Sequence, residues 1–158
     1  MRIGITGHRG LTGDLAEQVR GRLRELVELR QSAELVGISC IADGPDAWFA
    51  RAVLDVGGRI EVVVPASAYR AGLPEWHHDE YDALLGSASQ VYETGFRESG
   101  EKAHMAGSEI LVGLAEHLVA VWDGQPARGY GGTADVVEYA RRMGVAVQIV
   151  WPEGATRD

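Results

Sequence analysis

The chain has 158 residues and a mass of 17.0 kDa, with Lys+Arg 15 against Asp+Glu 23, a formal net charge of −8 and a pI of about 5.1. That is one domain's worth of chain, enough to bury a single core, so residues 1–158 are read as one domain. The acidic balance argues against a surface that coats nucleic acid. Hydrophobic content of 46% lies in short runs, so no segment is expected to cross or anchor in a membrane.

Strand character begins at once in Arg2–Thr6, which leads us to expect no signal peptide. Asp14–Arg30 follows as a helix, with Asp14 and Glu17 in capping-box spacing and Leu15, Val19, Leu23 and Leu26 on one face. Leu35–Ile41 reads as a second strand and Pro45–Val56 as a helix with proline near its first turn. Gly57-Gly58 stops that helix, and Arg59–Val64 is a β-branched third strand closed by Pro65. An irregular stretch, Ala66–His78, leads to a helix over Asp79–Ala88 and a strand over Gln90–Glu93. Lys102–His117 reads as a helix, Leu118–Trp122 as an apolar strand, Thr133–Met143 as a helix and Val145–Trp151 as the last strand.

Strands alternating with helices imply right-handed crossovers and a mostly parallel sheet buried on both faces. The expected fold class is α/β, a three-layer αβα sandwich around a Rossmann-like sheet. In such a sheet, ligands bind beyond the carboxyl ends of the strands, where strand order reverses. That rule selects the residues that follow each strand. They are Gly7, His8, Arg9 and Gly10; Asp43, Gly44 and Asp46; Glu93, Thr94 and Gly95; and Asp123 through Thr133.

Glycine is the most informative count, 21 of 158, about twice the usual ~7%. Several glycines fall at these strand ends. Gly129-Tyr130-Gly131-Gly132-Thr133 opens a helix after a strand, and a helix N-terminus offers unpaired N–H groups to a phosphate. Arg128 adds a cation and Thr133 a hydroxyl, the latter also suited to capping. The plain alternative is a glycine-rich turn. Gly7-His8-Arg9-Gly10 is a weaker anion candidate, with neither dinucleotide-fingerprint spacing nor the lysine of a P-loop. Asp43 and Asp46 are placed to hold ribose hydroxyls, and Asp43 is equally placed to cap the helix at Pro45.

His77-His78-Asp79 invites a metal reading, but adjacent histidines share no face and no further ligand is suitably spaced, so no metal site is assigned. His104 and His117, on the helix before the fifth strand, read as structural. Trp48, Phe49 and Trp122 read as core or cavity lining. No cofactor is expected. Cys40 is the one cysteine, which excludes an internal disulfide framework and fits a reducing cytoplasm. Lys102 is the one lysine among the 15 Lys+Arg, a bias that fits a GC-rich bacterial genome.

The run from Glu101-Lys102-Ala103-His104-Met105 to Gly132-Thr133 resembles the SLOG superfamily, the Rossmann-like group that includes DprA and the LOG-type "lysine decarboxylase-like" proteins. LOG proteins carry an Arg-Lys-x-x-Met helix, an apolar strand, then Pro-Gly-Gly-x-Gly-Thr-x-x-Glu at a helix start. Lys102 and Met105 match the helix, Val119–Trp122 the strand, and Gly129, Gly132 and Thr133 the loop. The resemblance implies a nucleotide or nucleotide-derived ligand and a homodimer. It does not carry the LOG reaction, cleavage of a base from a nucleoside monophosphate, because Glu101 stands at the arginine position and Val136 at the glutamate position.

The expected function is therefore nucleotide binding at the strand edge. Gly7, His8, Arg9, Asp43, Gly44, Asp46, Thr94, Gly95, Arg128, Gly129, Tyr130, Gly131, Gly132, Thr133 and Asp135 are its candidate ligand residues. The alternative is an N-glycosidase using a displaced carboxylate, with Glu93, Glu101 and Asp43 as candidates. The partner expected is a small nucleotide-like molecule rather than nucleic acid.

Overall fold

Six apolar runs pair in parallel in the computed structural model, which describes residues 1–157. In chain order the elements are β1 (Arg2–Gly7), α1 (Gly13–Leu29), β2 (Val36–Ser39), α2 (Pro45–Asp55), β3 (Arg59–Val64), α3 (His78–Gly86), β4 (Gln90–Glu93), α4 (Glu101–Leu114), β5 (His117–Val121), α5 (Thr133–Arg142) and β6 (Ala146–Val150). The sheet order is β4-β3-β2-β1-β5-β6. Register is fixed by pairs such as Gly4 with Ile38 and Ile5 with Val119. The chain first walks outward from β1 to β4, then returns and steps to the other side through β5 and β6. Right-handed crossovers therefore put α1, α2 and α3 on one face and α4 and α5 on the other, and the packing of α1 on α2 and of α4 on α5 agrees.

The central strands are buried on both faces, as their unbroken apolar character requires: Ile3, Ile5, Ile38, Ile60, Val62, Leu118 and Val119 are sealed between the helix layers. One charge interrupts this. Glu61 in β3 is buried, and Arg2 grips it at 2.6 Å while the Tyr92 hydroxyl donates to it at 3.1 Å. The Arg2 hydrogen bonds hold its carboxyl below the ordinary range, so the acid stays ionised within the sheet. Among the described residues no helix is long and apolar enough to cross a membrane.

The differences from expectation are local. Thr12, not Asp14, precedes α1, and no side chain caps that helix, so the capping box does not form. Gly44 takes the N-cap of α2 with φ of 97°, a conformation that disfavours the other residue types, and Asp43 caps nothing. α4 ends at Leu114, and His117 is the first residue of β5 rather than a helix terminus. The edge strands are wetter than the pattern suggested: Val91 and Ile149 are exposed. The stretch after β3 is not featureless, since it makes 3-10 turns at Arg70–Gly72 and Glu75–His77.

Candidate functional site

β1 and β5 are neighbours in the sheet, but the chain leaves them in opposite directions, β1 towards β2 and β5 towards β6. Their carboxyl ends thus flank the point where strand order reverses, and a crevice opens there for geometric reasons. It is a cavity of about 320 Å³. Its floor includes Ile5 and Thr6 of β1, Cys40 and Ala42 after β2, and Pro65 after β3. One wall is α4, with Glu101, His104, Ser108 and Leu111; the other is the 127–133 loop and the start of α5.

Among the sequence-derived candidates, Gly7, His8, Arg9, Asp46, Glu101, Arg128, Gly129, Tyr130, Gly131, Gly132 and Thr133 line this cavity. The others do not. β4 lies three strands from β1, about 14 Å at ~4.8 Å per strand, so Glu93, Thr94 and Gly95 end a different part of the edge. Thr94 instead ties its own turn, its hydroxyl donating to the Pro65 carbonyl and accepting from the Phe96 N–H. Asp43 is buried behind the lining, and Arg9 Nη2 reaches its Oδ1 at 2.6 Å. Gly44 supplies the turn beneath it, within 3.8 Å of the His8 carbonyl by the position a Cβ would take. Asp135 holds the loop, since its Oδ2 accepts the Gly131 N–H at 2.9 Å.

The glycines of the loop have a reason apart from any ligand. A Cβ on Gly129 would stand 3.1 Å from Glu101 Oε1, one on Gly131 3.1 Å from the Glu101 carbonyl, and one on Gly132 2.9 Å from Ala127 Cβ. Gly131, at φ of 85° against the backbone of α4's first residue, and Gly132, against Ala127, therefore have packing reasons of their own, whereas the Glu101 side chain near Gly129 could shift. What remains for an anion is the helix end. Asp135 and Val136 donate to the Gly132 carbonyl, leaving the Thr133 and Ala134 N–H groups of α5's first turn without an intrahelical partner.

His8 is the centre of a buried network that motif reasoning did not foresee. The ring is buried and packs edge-on against Trp151. Nδ1 meets the Arg157 guanidinium and, at 3.3 Å, the Thr133 hydroxyl; Nε2 lies 3.1 Å from Asp123 Oδ1. Arginine can only donate, so Nδ1 must present its lone pair. At the other nitrogen, Nε2, the Asp123 backbone N–H approaches as a donor at 3.1 Å beside the carboxylate of the same residue. Burial first, and then the charge of Arg157, hold the imidazole pKa below its ordinary value, which fits this neutral ring.

Across the cavity, burial raises the Asp46 carboxyl to about 7, against the opposing pull of the Ala42 N–H and Arg9. Burial also pushes the Cys40 thiol and the Tyr69 hydroxyl well up, so neither is a ready nucleophile. His104 is tied to Ser99 Oγ at 2.7 Å and packs on Tyr69, in line with a structural role. His77 is buried on the Ile41 carbonyl, and His78 bonds the Arg70 and Leu73 carbonyls. Phe49 is core, and Trp48 lies beneath Arg20.

Arg157 escaped the sequence reading because a lone arginine in a short polar segment looks like any solvated charge. The only hint was Trp151-Pro152, a bulky anchor and a turn former immediately after β6. In the structure Trp151 Nε1 donates to the Ala155 carbonyl at 3.0 Å and Arg128 donates to the Arg157 carbonyl at 3.3 Å, folding the segment back over the cavity.

No protein-family model and no curated protein sequence matches the chain. Solved structures do. DNA processing protein A (DprA) from Streptococcus pneumoniae superposes with a TM-score of 0.71 at 18% identity, over 97% of this chain and 51% of that one. DprA from Helicobacter pylori, described in a single-stranded DNA binding mode, gives 0.72 at 16% identity over 100% of this chain and 68% of its own. The structural-genomics target TM1055 gives 0.59 at 18% identity over 92% of this chain and 71% of its own. The chain thus spans about half the length of the S. pneumoniae protein.

These neighbours correct one expectation. Net acidity does not exclude a nucleic-acid partner, since a protein of this fold is described in a single-stranded DNA binding mode. A total of −8 is a sum over the whole surface, whereas the cavity gathers Arg9, Arg128 and Arg157 in one place. The architecture is a Rossmann-like α/β fold that the chain shares with these DprA proteins and TM1055.

Proposed function

We propose that the chain binds a nucleotide or nucleotide-derived ligand in the β1/β5 crevice, with a phosphate at the N-terminus of α5. The observation that carries this reading is the coincidence of three arginines, two helix N–H groups without an intrahelical partner and a cavity of about 320 Å³ at the point of strand reversal. Arg128, Gly132 and Thr133 hold the phosphate; Tyr130, 57% exposed at the mouth, offers a ring for a base to stack on. Asp46 and Thr6 on the floor face the sugar. The buried free thiol of Cys40 suits a reducing, cytoplasmic setting.

The neighbours leave open the form in which the phosphate arrives, as a free nucleotide or within a single strand. Isothermal titration with nucleoside mono-, di- and cyclic phosphates and with a short oligothymidylate separates the two. Binding of any of them that is weakened by Gly132→Ala, whose Cβ would collide with Ala127, supports the assigned loop. Failure of all of them to bind ends the reading.

A second reading, hydrolysis of a nucleotide N-glycosidic bond, draws on Asp46, a cavity carboxyl poised near 7 where a general acid needs to be. Of the carboxylates named from sequence, only Glu101 also reaches the cavity. Release of free base from nucleoside monophosphates, lost in Asp46→Asn, is the expected result; no release beyond the rate without protein rules this reading out.

A further inference from the structure

The cavity holds two kinds of polar side chain. Several are engaged within the protein: Arg9 with Asp43, His104 with Ser99, Thr133 with His8. Others are not. Thr6 of β1, Tyr69 after β3 and Ser108 of α4 all line the cavity, and among the described residues no hydrogen bond engages their hydroxyls. Tyr69 is only 5% exposed, so its hydroxyl sits where an unmet hydrogen bond is costly. Asp46 lines the same cavity with the Ala42 N–H as its donor, which leaves carboxyl lone pairs over. The cation that acts on it, Arg9, is committed to Asp43 at 2.6 Å.

The turn that carries Asp46 is held at a cost. Ile41, fully buried just after β2, has φ of 49°, a left-handed conformation that a β-branched residue avoids. Ser39 Oγ accepts the Ile41 N–H at 2.9 Å and donates to the Asp46 carbonyl at 3.0 Å. The buried His77 ring donates to the Ile41 carbonyl at 2.9 Å. Strain of this kind persists where the surrounding structure over-determines it, and here it fixes the approach to Ala42 and Asp46. β2 and β5 flank β1, so the ends that carry Asp46 and the start of α5 are two strand spacings apart, about 10 Å at ~4.8 Å per strand. A 5′-phosphate, its sugar and one hydrogen bond at each end span that gap.

A carboxyl accepts from a hydroxyl in either protonation state, and the Thr6, Tyr69 and Ser108 hydroxyls both donate and accept. Two adjacent hydroxyls answer this set. A methylene in place of one of them leaves protein groups unpaired. We propose that the floor of the cavity is a subsite for the vicinal 2′- and 3′-hydroxyls of a ribose, with Asp46 as its specificity-determining acceptor. The ligand is then a ribonucleotide rather than a 2′-deoxyribonucleotide. The inference rests on the nucleotide reading above and names the substrate class of that site.

Calorimetry with the common 5′-ribonucleoside monophosphates and their 2′-deoxy counterparts tests it, once melting curves establish that each variant folds. Wild type binds its preferred ribonucleotide about tenfold or more tightly than the 2′-deoxy form. Asp46→Ala brings that ratio to within about twofold by weakening the ribonucleotide, and Asp46→Asn, which keeps an acceptor without the charge, falls between. Tyr130→Ala, at the mouth, weakens both members of the pair and leaves their ratio unchanged. A wild-type ratio within about twofold overturns the ribose subsite while the nucleotide reading stands, and so does a ratio that neither Asp46 variant lowers. Wild-type protein that binds none of these nucleotides overturns the nucleotide reading and the subsite with it.

Discussion

Asp123, packed against His8 and Arg157 behind the cavity, and Asp46, on its lining, are both withdrawn from bulk water, yet their carboxyls shift in opposite directions. Burial pushes the Asp123 carboxyl up, but the Gln125 N–H at 3.0 Å, His8 and Arg157 outweigh it and leave it below the ordinary range. Asp46 has the Ala42 N–H and a more distant Arg9, which is itself committed to Asp43, and its carboxyl rises to about 7. Depth alone does not decide ionisation here. The supply of donors does, and the two walls differ because the β5 side recruits an arginine from beyond β6 while the α2 side shares one arginine between two acids.

The largest expected effect comes from removing the well-served acid. Asp123→Asn leaves Arg157 buried without its counter-charge and should cost about 3 kcal/mol in urea denaturation at pH 7. A loss no greater than that of the corresponding Asp46 variant would erase the contrast between the walls. Next in size, Arg9→Gln leaves Asp43 buried and unpaired, at a cost of about 1.5 kcal/mol. Adding Asp43→Asn to it should return most of that loss, and if it does not, the pair is not what the α2 wall depends on.

Asp46→Asn should act in the other direction, and with a pH signature. The folded carboxyl titrates near 7 against an ordinary 3.8, so between these values the native state holds more protons than the unfolded chain. Wild-type stability therefore falls as pH rises through that window, and the penalty is complete above it. The Asn variant lacks this slope and should gain on the order of 1 kcal/mol at pH 8 relative to pH 5, moderated by the opening of the carboxyl onto the cavity. A constant difference in melting temperature between the two proteins from pH 5 to 8 would show Asp46 to be ordinary. The smallest effect is Thr133→Ala, about 0.5 kcal/mol, since its hydroxyl shares the His8 nitrogen with a much stronger donor.

Much of the fold was legible because its signals are local. The β-branched run Arg59–Val64 and the strand Gln90–Glu93 lie where the sequence puts them, and Pro45 and Gly57-Gly58 punctuate α2 as expected. Local signals do not say which strand is an edge. Glu93, Thr94 and Gly95 look like site residues until the order of strands moves β4 three places from β1. The glycine loop shows the same limit more sharply. Its composition points to closeness to a ligand, and the structure adds a closeness to Glu101 and Met105 of α4 that no local signal carries. Asp135 likewise serves the loop rather than a ligand. The His8–Asp123 pair was half visible, both residues directly following strands that share a switch point; its third member, Arg157, carried no pattern at all.

The contact between His8 and Arg157 joins positions 149 apart in sequence. Closing so long a loop brings little reward until β1, β5 and β6 already lie side by side, so this wall of the cavity belongs to the last stage of assembly. It also hangs on a short segment anchored chiefly by Trp151 and Arg128. What forms late with few anchors is among the first parts to open in the native state, and its amides should exchange well before those of the sheet beneath. The cavity thus has a durable side and a provisional one, and a ligand that spans the two would slow the exchange of a segment that the rest of the fold holds only lightly.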